Sequence, residues 1–215
     1  MSGNVLEVES PGRWQMLVLL AVTLVLSMTT WFSASAVIPQ LREEWELSAN
    51  AAAWLTIAVQ LGFVCGALVS SFLNVSDLVS PKHAILVGSI GAATANGLLD
   101  LAGAGDIGIA LRFATGFFLA GVYPPALKLM ATWFRRDRGV ALGILVGAIV
   151  LGQAMPNLIN GLGGLDWRVV VYVTSGLTLF GGLIAEFAVR EGPSPFPTAT
   201  FDPTQVWRVF ALANV

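Results

Sequence analysis

Residues 111–125 read LRFATGFFLAGVYPP, an apolar run that carries an arginine, Arg112, at its second position and two prolines at its end. Extended over the neighbouring apolar residues, the run covers roughly 107–133. A helix needs about 20 mostly apolar residues to cross a bilayer, so this segment is long enough to span one. An arginine at the centre of such a helix costs about 2.5–3.5 kcal/mol on insertion scales. The stretch therefore predicts a membrane helix with one charged residue whose cost of insertion must be offset.

The composition of the whole chain agrees with a membrane environment. Of its 215 residues, 56% are hydrophobic and only 11% are charged, and the mean hydropathy is +0.78. A soluble domain carries about 25% charged residues, so this chain has too few to cover its own surface. The net charge of −2 argues against nucleic acid as a partner.

The residue types that most enzymes and metal sites require are scarce. Cys65 is the only cysteine and His83 the only histidine, which argues against a disulfide framework, histidine-centred catalysis and a metal cluster. The sequence contains no H-E-x-x-H, no G-x-S-x-G and no phosphate-binding glycine loop. We therefore expect no catalytic residues, no metal and no cofactor, and we expect that the protein is not an enzyme.

Apolar segments long enough to span a bilayer occur six times along the chain. A soluble all-α protein would need polar faces on its outer helices, and the third, fifth and sixth segments have almost none. Short connectors force successive helices to run antiparallel. The sequence thus predicts an all-α membrane protein, a bundle of six transmembrane helices. The segments are roughly 14–38, 51–73, 84–101, 107–133, 139–162 and 167–188.

The distribution of lysine and arginine predicts the orientation. If the N-terminus is cytoplasmic, the outer loops hold only Arg42 and Arg168, and eight basic residues lie on the cytoplasmic side, as the positive-inside rule requires. Both termini are then cytoplasmic. The predicted divisions are a tail (1–13), the six-helix domain (14–190), a proline-rich cytoplasmic linker (191–205) and the truncated start of a seventh helix (206–215).

Arg112 has two interpretations. It lies only about 8 Å into its helix from Ile107, so its side chain is able to reach the outer interface along its aliphatic stem. The alternative is an inward charge that takes part in solute binding, proton coupling or a polar network. One other pattern concerns the same helix. Pro124 and Pro125 predict a kink, because a proline deprives the carbonyl four residues earlier of its hydrogen bond.

Small residues at four-residue spacing predict close approach between helix backbones. Glycine pairs of this kind occur in the second and fifth segments, and a glycine–alanine pair occurs in the fourth. In a transporter the same surfaces would also move against each other. The predicted packing residues are Gly62, Gly66, Gly116, Gly121, Gly143 and Gly147.

Polar and aromatic side chains within the apolar segments should face inward, because lipid does not satisfy their hydrogen bonds. They either line a pathway or bond to neighbouring helices. Gln153 and Asn157 are four residues apart and so share one helix face. Together with Arg112, the predicted pathway residues are Trp31, Gln60, Tyr123, Gln153 and Asn157.

Several motifs in this order resemble the N-terminal half of a major facilitator superfamily transporter. The fourth segment fits the pattern R-x-x-x-G-x-x-x-a-G, with Arg112, Gly116 and Gly121. The stretch WFRRDRGVALGIL that follows is similar to the loop between the fourth and fifth helices of that family. LNVSDLVSPKH matches the motif of the loop between the second and third helices at Asp77 and Lys82 and departs from it elsewhere. The resemblance covers roughly 14–190.

The resemblance implies a fold and a function. It implies that Arg112 faces a central cavity and that transport proceeds by alternating access between two six-helix halves. The charged residues of the cytoplasmic loops would form a gate. These gating residues are Asp77, Lys82, Arg136, Asp137 and Arg138.

The expected function is secondary active or facilitative transport of a small solute across the cell (inner) membrane. The expected partners are the solute, the lipid bilayer and a second six-helix half from the same gene or a separate chain, without which the chain would be inactive. The rival is a non-transporting six-helix scaffold or regulatory partner. No acidic residue lies at clear mid-membrane depth, since Asp100 and Glu186 are near helix ends, so uniport, symport and antiport all stay open. A cationic Arg112 mildly favours an anionic solute.

Overall fold

The computed structural model describes residues 11–73, 78–161 and 165–194. Within these ranges the regular secondary structure is helical, and six helical spans are long and apolar enough to cross a membrane. The predicted all-α, six-span architecture is thus confirmed. The spans are Arg13–Thr30, Ala49–Phe72, Pro81–Leu101, Gly105–Trp133, Arg138–Gly161 and Trp167–Phe187.

The α-helices outnumber the spans, because the fourth span contains two of them and one short α-helix lies between the first and second spans. In chain order they are α1 (Arg13–Ser27), α2 (Ile38–Glu44), α3 (Ala49–Phe72), α4 (Pro81–Gly97), α5 (Gly105–Leu119), α6 (Tyr123–Trp133), α7 (Arg138–Gly161) and α8 (Trp167–Phe187). Successive spans run in opposite directions. We call the side with the start of α1 the Arg13 end, and the side with α2 and the start of α8 the Arg168 end.

The first span differs from the continuous helix predicted over 14–38. The α-helix α1 ends at Ser27, and short 3₁₀ turns and bends lead to α2. Hydroxyl side chains compete with the helical backbone here: Thr29 Oγ1 donates to Leu26 O at 2.7 Å and Ser33 Oγ to Thr30 O at 3.1 Å. Residues 28–37 therefore form a break between two helices.

The fourth span bends where the two prolines predict it. Helix α5 ends at Leu119, a turn covers residues 120–122, and α6 begins at Tyr123 with the prolines in its first turn. The missing N–H groups of Pro124 and Pro125 leave Ala120 O and Gly121 O without their helical donors. The kink predicted from the sequence is thus present.

Backbone contact between α3 and α5 depends on glycine. A Cβ added at Gly62 would overlap Phe113 O, and one at Gly116 would overlap Val59 O. In contrast, nothing lies within 4 Å of a Cβ placed at Gly143 or Gly147 on α7. The first pair is thus a contact between helices, and the second pair lies open in the described part of the chain.

Helix α1 occupies the middle of the bundle, since it packs against α7, α8 and α6. Helix α4 packs against α8 and α5. Large apolar side chains elsewhere face outward, with Leu101 76% and Phe187 82% exposed. Such a surface suits lipid rather than water.

The chain after α8 is attached to the Arg13 end of α6 as far as the structure describes it. Gly192 N donates to Thr132 Oγ1 at 2.8 Å, and Trp133 Nε1 donates to Arg190 O at 2.8 Å. A Cβ at Gly192 would overlap the backbone of Thr132. The start of the predicted linker thus packs on the bundle, and residues 195–215 lie outside the described residues.

Candidate functional site

Arg112 lies inside the bundle and has no exposed surface. Helix α5 carries it, and its guanidinium reaches the break that follows α1. Nη1 donates to Thr30 O at 2.9 Å, Nη2 donates to Trp31 O, and Nε donates to Leu55 O at 3.3 Å. In this conformation the side chain contacts protein oxygens on neighbouring segments, and it does not extend to the membrane interface at the Arg168 end.

The break in the first span explains why these oxygens are free to accept. The backbone hydrogen bonds of the segment run from Trp31 N to Met28 O and from Ala36 N to Phe32 O. The carbonyls of Thr30 and Trp31 are therefore left to side-chain donors. An arginine offers five N–H groups in a rigid plane, which suits a cluster of fixed carbonyls.

Asn96 on α4 joins Arg112 to the sixth span. Its Oδ1 accepts from Arg112 Nη1 at 3.1 Å and from Ser33 Oγ at 2.5 Å. Its Nδ2 donates to Val171 O at 3.1 Å and to Ser175 Oγ at 3.0 Å on α8. The sequence analysis did not select Asn96, although an amide within the apolar segment 84–101 is a signal of inward orientation.

The acceptors around Arg112 are neutral. They are backbone carbonyls, the Ser33 hydroxyl and the Asn96 amide oxygen. Within the described residues no carboxylate is paired with the guanidinium. The site therefore holds a positive charge by hydrogen bonds alone.

Aromatic rings gather beside the break. The Trp31 and Phe63 rings are 5.1 Å apart at 64°, and the Phe63 and Tyr123 rings are 6.4 Å apart and stacked at 29°. Two predicted pathway residues, Trp31 and Tyr123, are thus joined through Phe63, which the sequence analysis missed. Gln60 lies near the same face of α3, three residues before Phe63. It is exposed and makes no hydrogen bond with the described residues.

The two predicted pathway residues of α7 stand apart from this cluster. Gln153 is half-buried, Asn157 is exposed, and neither bonds to the described residues. Their neighbour Asn160 donates from Nδ2 to Ala36 O at 2.8 Å, across the break. Its Oδ1 is buried without a partner. Asn160 therefore lies beside the break, with one of its hydrogen-bonding atoms left unused.

A charged network closes the Arg168 end. Arg168 donates to both carboxylate oxygens of Glu44 and, from Nε at 2.7 Å, to Asp100 Oδ1. Trp167 Nε1 also donates to Glu44 Oε2, at 2.7 Å. Because Arg168 and Trp167 donate to it, the Glu44 carboxylate has a pKa below its ordinary value of 4.5. The network ties α2 to the start of α8.

The predicted gating residues lie at the Arg13 end, and Asp77 falls outside the described residues. Lys82 Nζ is 3.8 Å from Glu186 Oε1, and Asp137 Oδ2 is 3.4 Å from Arg13 Nη2. The contacts of these two residues therefore lie with Glu186 and Arg13, rather than with other members of the predicted set.

The two remaining gating residues follow α6. Arg138 Nε donates to Phe134 O at 2.5 Å and so caps the end of that helix. Arg136 is exposed and makes no hydrogen bond or ion pair with the described residues. Within the described chain the predicted gate is thus a set of separate contacts.

Six apolar spans with polar and aromatic groups gathered within the bundle define an integral, multi-pass membrane protein. The sequence profile of the Major Facilitator Superfamily matches residues 20–214. The chain belongs to this family of transporters.

Known relatives are longer than this chain. The multidrug efflux pump LfrA of Mycolicibacterium smegmatis is 24% identical over 203 residues, which are 92% of this chain and 40% of LfrA. The uncharacterized transporter YgaY of Escherichia coli O157:H7 is 26% identical over 169 residues, which are 75% of this chain and 41% of YgaY. The chain thus spans about two fifths of the length of these relatives.

A solved structure shares the fold. The crystal structure of a bacterial homologue of the human lysosomal transporter Spinster, inward-facing and unoccupied, superposes with a TM-score of 0.72 and 16% identity. The match covers 94% of this chain and 50% of that chain. The bundle therefore corresponds to half of a transporter fold.

Proposed function

We propose that the chain is the N-terminal six-helix half of a carrier that moves a small solute by alternating access. The observation that carries this proposal is the break in the first span, which is held by Arg112 beside the ring cluster of Trp31, Phe63 and Tyr123. Interrupted helices beside polar groups are a recurring feature of solute sites in secondary transporters. The proposal covers secondary active and facilitative transport alike.

The solute would meet aromatic rings and amides before it met a charge. Trp31, Phe63 and Tyr123 are half-buried in this chain, while Arg112 is sealed and its N–H groups are directed at protein oxygens. Arg112 would thus shape the site through the backbone it holds. This arrangement removes the argument for an anionic solute that the charge alone suggested.

A second six-helix half would cover the faces that this chain leaves open. The chain matches half of the solved transporter and two fifths of its longer relatives. In the proposed arrangement Gln60, Gln153 and Asn157 face that half across the pathway. The charges at the Arg13 end would then be cytoplasmic, with both termini inside and the protein in the inner membrane, as the positive-inside rule favours.

The test is efflux of the lipophilic cation ethidium from cells that lack their own efflux pumps. The cells would express the full gene product, including whatever coding sequence follows Val215. We expect Trp31→Ala and Tyr123→Ala to lower the efflux rate about thirtyfold, since large aromatic side chains at a binding site contribute about 2 kcal/mol. Phe180→Ala removes a six-membered aromatic ring like that of Tyr123 from a position on α8 that is 56% exposed, and it should change the rate less than twofold.

The outcomes separate the alternatives. Ethidium is one probe, so lactose and a carboxylate, benzoate, would be assayed as radiolabelled solutes in parallel. Movement of none of them by the full product or by a pairing with a second half would favour the non-transporting scaffold or regulatory partner. Transport that is equally sensitive to Phe180→Ala and Trp31→Ala would contradict the proposed pathway.

A further inference from the structure

We infer that Asn96 is a positioning residue, which holds Arg112 against the broken first span and so sets the conformation of that break. Its role in transport rests on the proposed function, whereas its effect on the break does not. The inference is carried by the hydrogen bonds that meet at one buried amide.

The amide has one possible orientation in this network. Its oxygen faces two donors, Arg112 Nη1 at 3.1 Å and Ser33 Oγ at 2.5 Å. Its nitrogen faces the carbonyl of Val171 at 3.1 Å. Turning the amide over would place N–H against N–H and oxygen against oxygen, so both sides of the network depend on this orientation.

Asn96 therefore connects three separate segments of the chain: the break after α1, helix α5 and helix α8. Ser33 belongs to the break, Arg112 to α5 and Val171 to α8. The single hydroxyl proton of Ser33 is shared between Asn96 Oδ1 and Thr30 O, the carbonyl that Arg112 Nη1 contacts. The amide thus supports the guanidinium both directly and through Ser33.

The hydrogen bonds of the Asn96 amide lie in a part of the bundle that is closed to water. Asn96, Ser33 and Arg112 have no exposed surface, so water does not reach them to replace a lost hydrogen bond. A buried polar group that loses its partner is destabilised, and here the group that loses it carries a full charge. Removing the amide should therefore release the guanidinium from Thr30 and Trp31 and loosen the break.

The experiment measures how fast a cysteine in the break reacts with a maleimide. The full gene product is purified in detergent with Cys65→Ser, and any cysteine after Val215 is also replaced by serine. The reporter Ala36→Cys is placed in the break, and a second reporter, Ala67→Cys, is placed on α3. Both native alanines are half-buried.

We expect Asn96→Leu to speed labelling of the Ala36→Cys reporter about tenfold, because the loss of one or two buried hydrogen bonds shifts a local opening by about that factor. Labelling of the Ala67→Cys reporter should stay within twofold. Asn96→Asp keeps an oxygen for Arg112 and Ser33 but turns a second oxygen toward Val171 O, so its rate at Ala36→Cys should lie between those of the wild type and Asn96→Leu. Thr94→Val, a polar change at an exposed position of the same helix, should leave both rates unchanged.

Three results would overturn the inference. These are an unchanged rate at Ala36→Cys in Asn96→Leu, an equal rise at both reporters, and an Asn96→Asp protein that reacts as fast as Asn96→Leu. If Asn96→Leu does not fold, Asn96→Ser serves instead, because its hydroxyl is too short to join Arg112 to Val171. Labelling does not require transport, so a carrier that moves no solute leaves this test intact.

Discussion

The guanidinium of Arg112 is a buried charge whose partners are neutral oxygens. Directed hydrogen bonds replace the hydration that the guanidinium loses on burial. Its fixed N–H groups point at carbonyls that the broken helix leaves free. A lysine would offer a single charged point and would not reach Leu55, Thr30 and Asn96 together. At the scale of the residue, planar geometry rather than charge alone explains why an arginine stands at this position.

Glu44 provides a pH-dependent contact at the Arg168 end. Its pKa is lowered in the folded protein, so the ionised form stabilises the fold at pH values above its ordinary 4.5. This stabilisation is lost as the pH falls from about 4.5 through the lowered folded pKa. We expect the thermal midpoint of the wild type to fall with acid over this range more steeply than that of Glu44→Gln, as measured in detergent by circular dichroism.

Glu43→Gln is the matched control for this prediction. Glu43 is an adjacent exposed carboxylate that makes no hydrogen bond or ion pair with the described residues. Its substitution should leave the acid slope of the wild type in place. If Glu43→Gln and Glu44→Gln flatten the slope equally, the contact with Arg168 does not cause the effect.

Pairs of helices in this protein approach to different distances, and glycine decides which pairs come close. Helices α3 and α5 touch through backbone atoms at Gly62 and Gly116, because lipid provides no hydrophobic drive and close packing replaces it. Helix α7 buries one face only, including Ala141, Leu145 and Gly152. At the scale of the element, glycines four residues apart therefore form a helix contact on α3 and an open surface on α7.

Alanine substitutions should separate these surfaces. Gly62→Ala places a methyl group into Phe113 O, which should lower the free energy of unfolding by about 1–3 kcal/mol. Gly143→Ala meets open space and should be neutral or should raise that free energy by up to about 1 kcal/mol through helix propensity. Unfolding of the 215-residue chain in mixed detergent micelles would measure both. A loss of equal size at the two sites would contradict the packing described for α3 and α5.

Within the described chain, most of the surface of α7 has no neighbouring helix against it. Under the proposed function, its exposed glycines lie against the second half of the carrier. The stability of the six-helix bundle and the rate of transport should therefore respond to different substitutions. This separation gives the whole-molecule proposal a direct test.

Gly147→Leu should leave the stability of the 215-residue chain nearly unchanged, because a side chain there meets open space. In the full gene product it should lower ethidium efflux about tenfold or more, since a bulky side chain prevents close helix approach. Gly176→Leu is the control: this glycine on α8 is also open. A drop in efflux of the same size for both variants would argue against a second half at α7.

Much of the fold follows from the sequence by rules that act locally. Pro124 and Pro125 predicted the bend between α5 and α6. Arg112 was selected because a charge within an apolar segment is energetically costly. Its hydrogen-bond partners were not predicted. Phe63 and Asn96 were missed: an aromatic in an apolar segment has no distinctive pattern, and one amide among many small residues does not reveal which helix it faces.

The sequence by itself determined the six spans, because a bilayer imposes length and hydropathy on each span separately, and its motifs carried the resemblance to the family. Only the tertiary structure decided where the first span breaks, which oxygens hold Arg112, and which glycines touch another helix. Thr30 and Trp31 are far from Arg112 along the chain, and Gly62 and Gly143 have the same local spacing. What distinguishes these residues is the neighbour that packing brings to them, and a local pattern does not contain that neighbour.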